Sequence, residues 1–115
     1  MNHFMLPGKP RGKSTATAGI LDARYGDHSM ELLCNTMQSI GANLGMLEAK
    51  VFGGGQVYEM MASNVAKMNI SFIKAYLREK NIPILAGNMG GRFGRKIYFF
   101  PETFAVYVKK ISITI

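Results

Sequence analysis

Cysteine is nearly absent. Cys34 stands alone in 115 residues, so no internal disulfide framework can form and the composition suits a reducing compartment. Long apolar runs are missing too. The best, Ile97 to Phe100, is strand-sized, far short of the roughly 20 residues that cross a bilayer. The opening Met-Asn-His-Phe-Met-Leu-Pro-Gly has neither the basic start nor the long apolar stretch of a secretory signal. A cytoplasmic protein is expected. Acids are scarce: seven Asp and Glu against fourteen Lys and Arg, a net charge of +7. That surplus attracts an acidic partner, whether nucleic acid, membrane face or protein surface. The cations are scattered, however, with clusters only at Lys9, Arg11 and Lys13, at Arg92, Arg95 and Lys96, and at Lys109–Lys110. Solubility accounts for such a density, and charge by itself selects no partner.

What is present is a globular composition, 48% hydrophobic and 18% charged, in a length that suits one domain with one core. His3-Phe-Met-Leu6 is a short apolar run stopped by Pro7-Gly8, which predicts a strand entering a turn. Residues 8 to 19 have little to bury and read as a loop. Asp27 or Ser29 is the expected cap of a first helix, with Met30, Leu33, Cys34, Met37 and Ile40 on one face and Gly41 at its end. A strand is predicted from Leu47 to Phe52, closed by Gly53-Gly54-Gly55. The second helix puts Val65, Met68, Phe72, Tyr76 and Leu77 inward and stops at Asn81 and Pro83. Ile82 to Ala86 follows as a strand, Gly87 to Gly94 as a glycine-rich loop. Lys96–Phe100 and Phe104–Lys109 flank Pro101-Glu102-Thr103 as a hairpin. Ile111 to Ile115 alternates as a last strand. The order predicts an α/β single-domain sandwich, helices packed on one mixed β-sheet.

Few groups here carry chemistry. No His, Cys and acidic residues have metal-ligand spacing, and the acids form no catalytic pair. His28, beside Asp27 at the start of the first helix, reads as a capping or solvent-facing residue. His3 lies on an apolar strand with no obvious structural need for an imidazole, a group that takes and returns protons near neutrality, although taken alone a strand histidine is more often structural than catalytic. Cys34, among Met30, Leu33 and Met37, reads as an inert core thiol rather than a partner for His3. The clusters Gly53-Gly54-Gly55 and Gly90-Gly-Arg-Phe-Gly-Arg95 match neither phosphate-binding pattern in its strand–loop–helix context; tight turns or close backbone approaches explain them.

In order along the chain stand His3-Phe-Met-Leu-Pro7, Arg24-Tyr-Gly-Asp27, Met30-Glu-Leu-Leu33 and Glu48-Ala-Lys-Val-Phe-Gly-Gly54. Then come Asn64-Val-Ala-Lys-Met-Asn69, Ile82-Pro-Ile84, Gly90-Gly-Arg-Phe-Gly-Arg-Lys-Ile97 and Tyr98-Phe-Phe-Pro101. Each motif is weak alone, but the set resembles the CheD family of chemoreceptor glutamine deamidases in order and spacing. Ala66 and Asn88 depart from it, where the family often has glycine and commonly an acid. The resemblance implies a CheD-like domain over residues 1–115 that hydrolyses glutamine side-chain amides on methyl-accepting chemotaxis receptors, with no cofactor and no metal. It implies His3 as the general base of cysteine–histidine amidase chemistry. It also places the family's nucleophilic cysteine and a histidine-orienting threonine upstream of that histidine, so an N-terminally truncated domain is expected. The alternative is a catalytically dead module that binds chemoreceptors or a CheC-type phosphatase. Neither nucleic acid nor direct membrane insertion is expected.

Overall fold

The computed structural model describes residues 1–8, 23–56 and 64–112. Among the described residues two helices and four strands form, in the order α, β, α, β, β, β, an α/β chain as expected. Helix α1 spans Gly26–Ser39 and helix α2 Val65–Glu79; strands β1 Ala49–Gly53, β2 Ile84–Met89, β3 Gly94–Phe100 and β4 Ala105–Ile111 complete the set. A 3₁₀ turn, Leu44–Met46, precedes β1, with the Asn43 side chain accepting the Gly45 N–H at 2.9 Å.

Helix α1 begins before its expected caps. Tyr25 occupies the cap position without a side-chain hydrogen bond, and both Asp27 and Ser29 lie inside the helix. The reason is tertiary: the Gly26 N–H donates to Leu6 O at 2.6 Å and the Asp27 N–H to Pro7 O at 3.2 Å. Carbonyls of the N-terminal segment thus satisfy orphan first-turn donors that a side-chain cap would otherwise take. Asp27 complements the positive helix end and accepts the His28 N–H at 2.9 Å. At the other end Gly41 adopts φ +104, and the Gly41 and Ala42 N–H groups donate to Gln38 O and Met37 O, the paired bonds of a glycine-terminated helix. Ile40, expected on the inner face, is 80% exposed because it falls at the cap, past the last turn that meets α2.

The core is small. Met30, Ile73, Leu77 and Ile82 are buried, and Phe4, Leu47, Ala49, Val51, Phe72 and Tyr76 pack against them. Ile73 and Leu77, one turn apart, centre the inner face of α2. Met68, expected there, is 51% exposed; it lies about 140° around the helix from Ile73, at 100° per residue. Asn81 ends the helix at φ +59, as its tolerance of the left-handed region allows.

Strands β1 and β2 pair in parallel and β3 and β4 antiparallel, so pairing is mixed as expected. Among the described residues the pairs stand as two two-stranded ladders rather than one continuous sheet. The expected strand at Ile82 starts at Ile84 and runs on through Gly87, Asn88 and Met89, because Val51, Phe52 and Gly53 pair with those three residues. The glycine loop shrinks accordingly to residues 90–93, where Gly90 and Gly91 adopt φ +85 and +78. The expected first strand is reduced to a single bridge, Leu6 to Tyr25. Ile111 closes β4; the remainder of the expected last strand, residues 113–115, and most of the expected loop, residues 9–19, lie outside the described residues.

Candidate active site

His3 sits in a segment fixed from several sides. Asn2 Nδ2 donates to Met30 Sδ on α1 at 3.2 Å. The Phe4 ring meets Phe72 of α2 edge to face, centroids 5.6 Å apart. The Met5 and Leu6 N–H groups both donate to Arg24 O, at 2.9 and 3.0 Å, and Asn69 Nδ2 of α2 donates to Met5 O at 3.0 Å. The backbone around His3 is therefore held by both helices. His3 is exposed and makes no hydrogen bond to a described residue.

Two residues that support this segment carry no chemistry and were not singled out by the sequence. Gly26 lets the segment and α2 close on α1: a Cβ there would stand 2.6 Å from Phe72 Cε2 and 2.8 Å from Pro7 O. Asn69 is the other. Its amide nitrogen holds Met5 O while Oδ1 is buried without a partner among the described residues. The available signal was an asparagine within the inward face of a helix, where a polar group needs a reason.

The remaining candidates lie elsewhere. His28 is in the first turn of α1, its ring 6.2 Å from that of Tyr25. Cys34 is half-buried between the helices, its Sγ 3.7 Å from the Tyr76 hydroxyl. No hydrogen bond joins it to His3. Tyr76 is pushed up to about 12, first by burial and then by its hydrogen bond to Cys34.

The glycine clusters serve each other. The Gly90 N–H donates to Gly53 O at 2.8 Å and the Gln56 N–H to Gly91 O at 2.9 Å. Gly54, at φ +69, lies against Ile70 of α2, whose Cγ1 a Cβ would approach to 2.5 Å. Arg95 fills the junction: Nε donates to Asn88 Oδ1 at 2.8 Å, Nη2 to Gly90 O at 2.7 Å and Nη1 to Gly53 O at 3.3 Å. Its guanidinium rests 4.3 Å from the Phe93 centroid, and burial lowers its pKa from the ordinary arginine value. Carbonyls gathered round a guanidinium hold a cation, so this is a structural clasp and not a phosphate cradle. Arg95 leaves the basic cluster that the sequence placed at Arg92, Arg95 and Lys96.

With the site's geometry set out, the class of protein follows from comparison: residues 5–110 match the family described as CheD chemotactic sensory transduction, and the chain belongs to the CheD family. The match begins at Met5, just past His3. Among the particular relatives, the probable chemoreceptor glutamine deamidase CheD of Laribacter hongkongensis is 41% identical over 113 residues, 97% of this chain and 54% of that protein. The probable chemoreceptor glutamine deamidase CheD 2 of Chromobacterium violaceum is 45% identical over 97% of this chain and 55% of its own length. The Methylobacillus flagellatus protein, of the same description, is 42% identical over 97% and 55%. The chain spans about half the length of the curated relatives it matches.

Proposed function

We propose that this chain takes part in hydrolysing glutamine side-chain amides to glutamate on methyl-accepting chemotaxis receptors, with His3 as general base. The observation that carries the reading is the solvent-facing imidazole on a backbone clamped to both helices, since a proton-transfer group needs fixed placement and open access. CheD membership and the deamidase names of the relatives support it. His3 would take the proton of a cysteine thiol. The thiolate adds to the carboxamide carbon, and the imidazolium returns the proton to the departing ammonia. Water, activated by the same imidazole, then cleaves the thioester to the carboxylate and frees the thiol. Cys34, turned toward Tyr76, is not that thiol. The reading therefore requires a cysteine beyond residues 1–115. Work in the cytoplasm belongs to the same reading; no described helix is long and apolar enough to cross a membrane.

The test is ammonia release from chemoreceptor fragments by the protein purified from its native host. His3→Ala should lower the rate by about 100-fold or more, while Cys34→Ser leaves it near the parent value. Turnover that survives His3→Ala, or disappears in Cys34→Ser, would falsify the assignment. A second reading is favoured by one observation, that no thiol is bonded to His3 among the described residues. It is a non-catalytic module binding chemoreceptors or a CheC-type phosphatase, and its mark is receptor binding with no ammonia released.

A further inference from the structure

The outer face of α2 carries cations without counterions among the described residues. Lys67, Lys74 and Arg78 fall at i, i+7 and i+11, within about 40° of one another around the helix at 100° per residue. Ser71 lies between them, and all four are exposed. None of the three cations has a hydrogen-bond or ion-pair partner among the described residues. The acid of this helix, Glu79, is its last residue, about 100° round from Arg78.

Along one flank of this stripe runs a groove lined by Pro7, Asn64, Lys67, Met68, Ser71 and Phe72. Its far wall, Pro7, belongs to the segment that carries His3, and the tether from Asn69 to Met5 O holds that wall to α2. Met68 and Met5 stand 51% and 64% exposed, flexible thioethers that adapt to varied side chains. A row of cations at helical spacing, unpaired among the described residues, thus borders a shallow depression whose far wall belongs to the segment that carries His3.

We infer that this face docks an acidic amphipathic helix of the protein substrate. Its carboxylates, repeating at helical spacing, meet Lys67, Lys74 and Arg78, and an apolar side chain enters the trough between Met68, Phe72 and Pro7. The inference rests on the deamidase reading, because Pro7, the far wall of the trough, belongs to the same N-terminal segment as His3. A bilayer could engage the exposed Met5 and Met68, but it gives no reason for three cations to repeat at helical spacing, whereas a helix does. Three cations along about 16 Å of helix are also few for a nucleic-acid backbone. Exposed charge pairs contribute little each, so they set orientation and choice of partner while the trough supplies apolar burial.

The probe is a fluorescein-labelled, alanine-based helical peptide with glutamates at i, i+7 and i+11 and leucines on the adjoining face; a sister peptide carries lysines at those positions. Fluorescence anisotropy with the 115-residue chain should show binding of the acidic peptide and little of the basic one. Lys67→Glu combined with Lys74→Glu, both exposed positions, should leave the far-UV circular dichroism unchanged and weaken the acidic peptide by about tenfold or more. The same variant should gain affinity for the basic peptide, a reversal that a fold defect cannot produce. No binding by the parent chain, binding blind to peptide charge, binding unchanged in the double variant, or capture by phosphatidylserine vesicles but not by peptide each overturns the inference. Ammonia release separates it from the deamidase reading. Charge-swapped binding with no turnover on receptor fragments sinks that reading and keeps the docking face. Turnover with unchanged KM in the double variant does the reverse.

Discussion

The Tyr76 hydroxyl and the Cys34 thiol meet between the helices at 3.7 Å, in surroundings that keep the phenol protonated up to about 12. A phenol whose pKa is raised on folding favours the folded state while it is neutral. That contribution is whole below the unfolded value of about 10 and is lost as pH rises through the folded one. The urea midpoint of the parent should therefore fall relative to that of Tyr76→Phe between pH 10 and pH 12, by a small amount because the ring is only half-buried. Parallel midpoints across that interval would contradict the shift. At this scale residue type alone excluded an internal disulfide, whereas His3 stood out only through the motif that resembles the CheD family. Asn69 was not legible. Its importance comes from meeting Met5 O across 64 residues of chain, a contact that no local pattern encodes.

Helix α1 shows what local pattern settles and where it stops. The apolar spacing from Met30 to Met37 predicted the helix, and Gly41 its end. Its start depended on Leu6 and Pro7 carbonyls arriving from a distant segment, so the capping residues gave the wrong boundary. Gly26 is the test of that junction. Gly26→Ala inserts a methyl where Phe72 and Pro7 leave no space, and should cost about 1–3 kcal/mol in urea unfolding as an overpacked site does. Amide exchange at Met5 and Leu6 should quicken with it. An unchanged midpoint would show that the segment and α2 part without penalty. Strand β2 carries the same lesson, because glycine and asparagine read as loop until pairing with β1 recruits them.

For the molecule as a whole, the two ladders are joined at Arg95, whose guanidinium bonds the ends of β1 and β2 and the loop before β3. Arg95→Ala leaves those acceptors unmet and should lower stability by about 1–3 kcal/mol. Arg95→Lys should not restore it, because an ammonium lacks the planar fork that spans three acceptors. A thermal midpoint in Arg95→Lys equal to the parent would refute the clasp. Asn88 serves as the acceptor for Nε. The amino-acid sequence by itself determined the α/β class, both helices, the hairpin and the CheD motifs, because spacing, turn chemistry and motif order are written along the chain. The tertiary structure alone decided that the ladders are separate among the described residues, that the glycine loops close on each other round a guanidinium, and that the His3 segment is clamped while Cys34 meets Tyr76. Those outcomes depend on groups far apart in sequence coming within hydrogen-bonding distance, and no period or composition records that meeting.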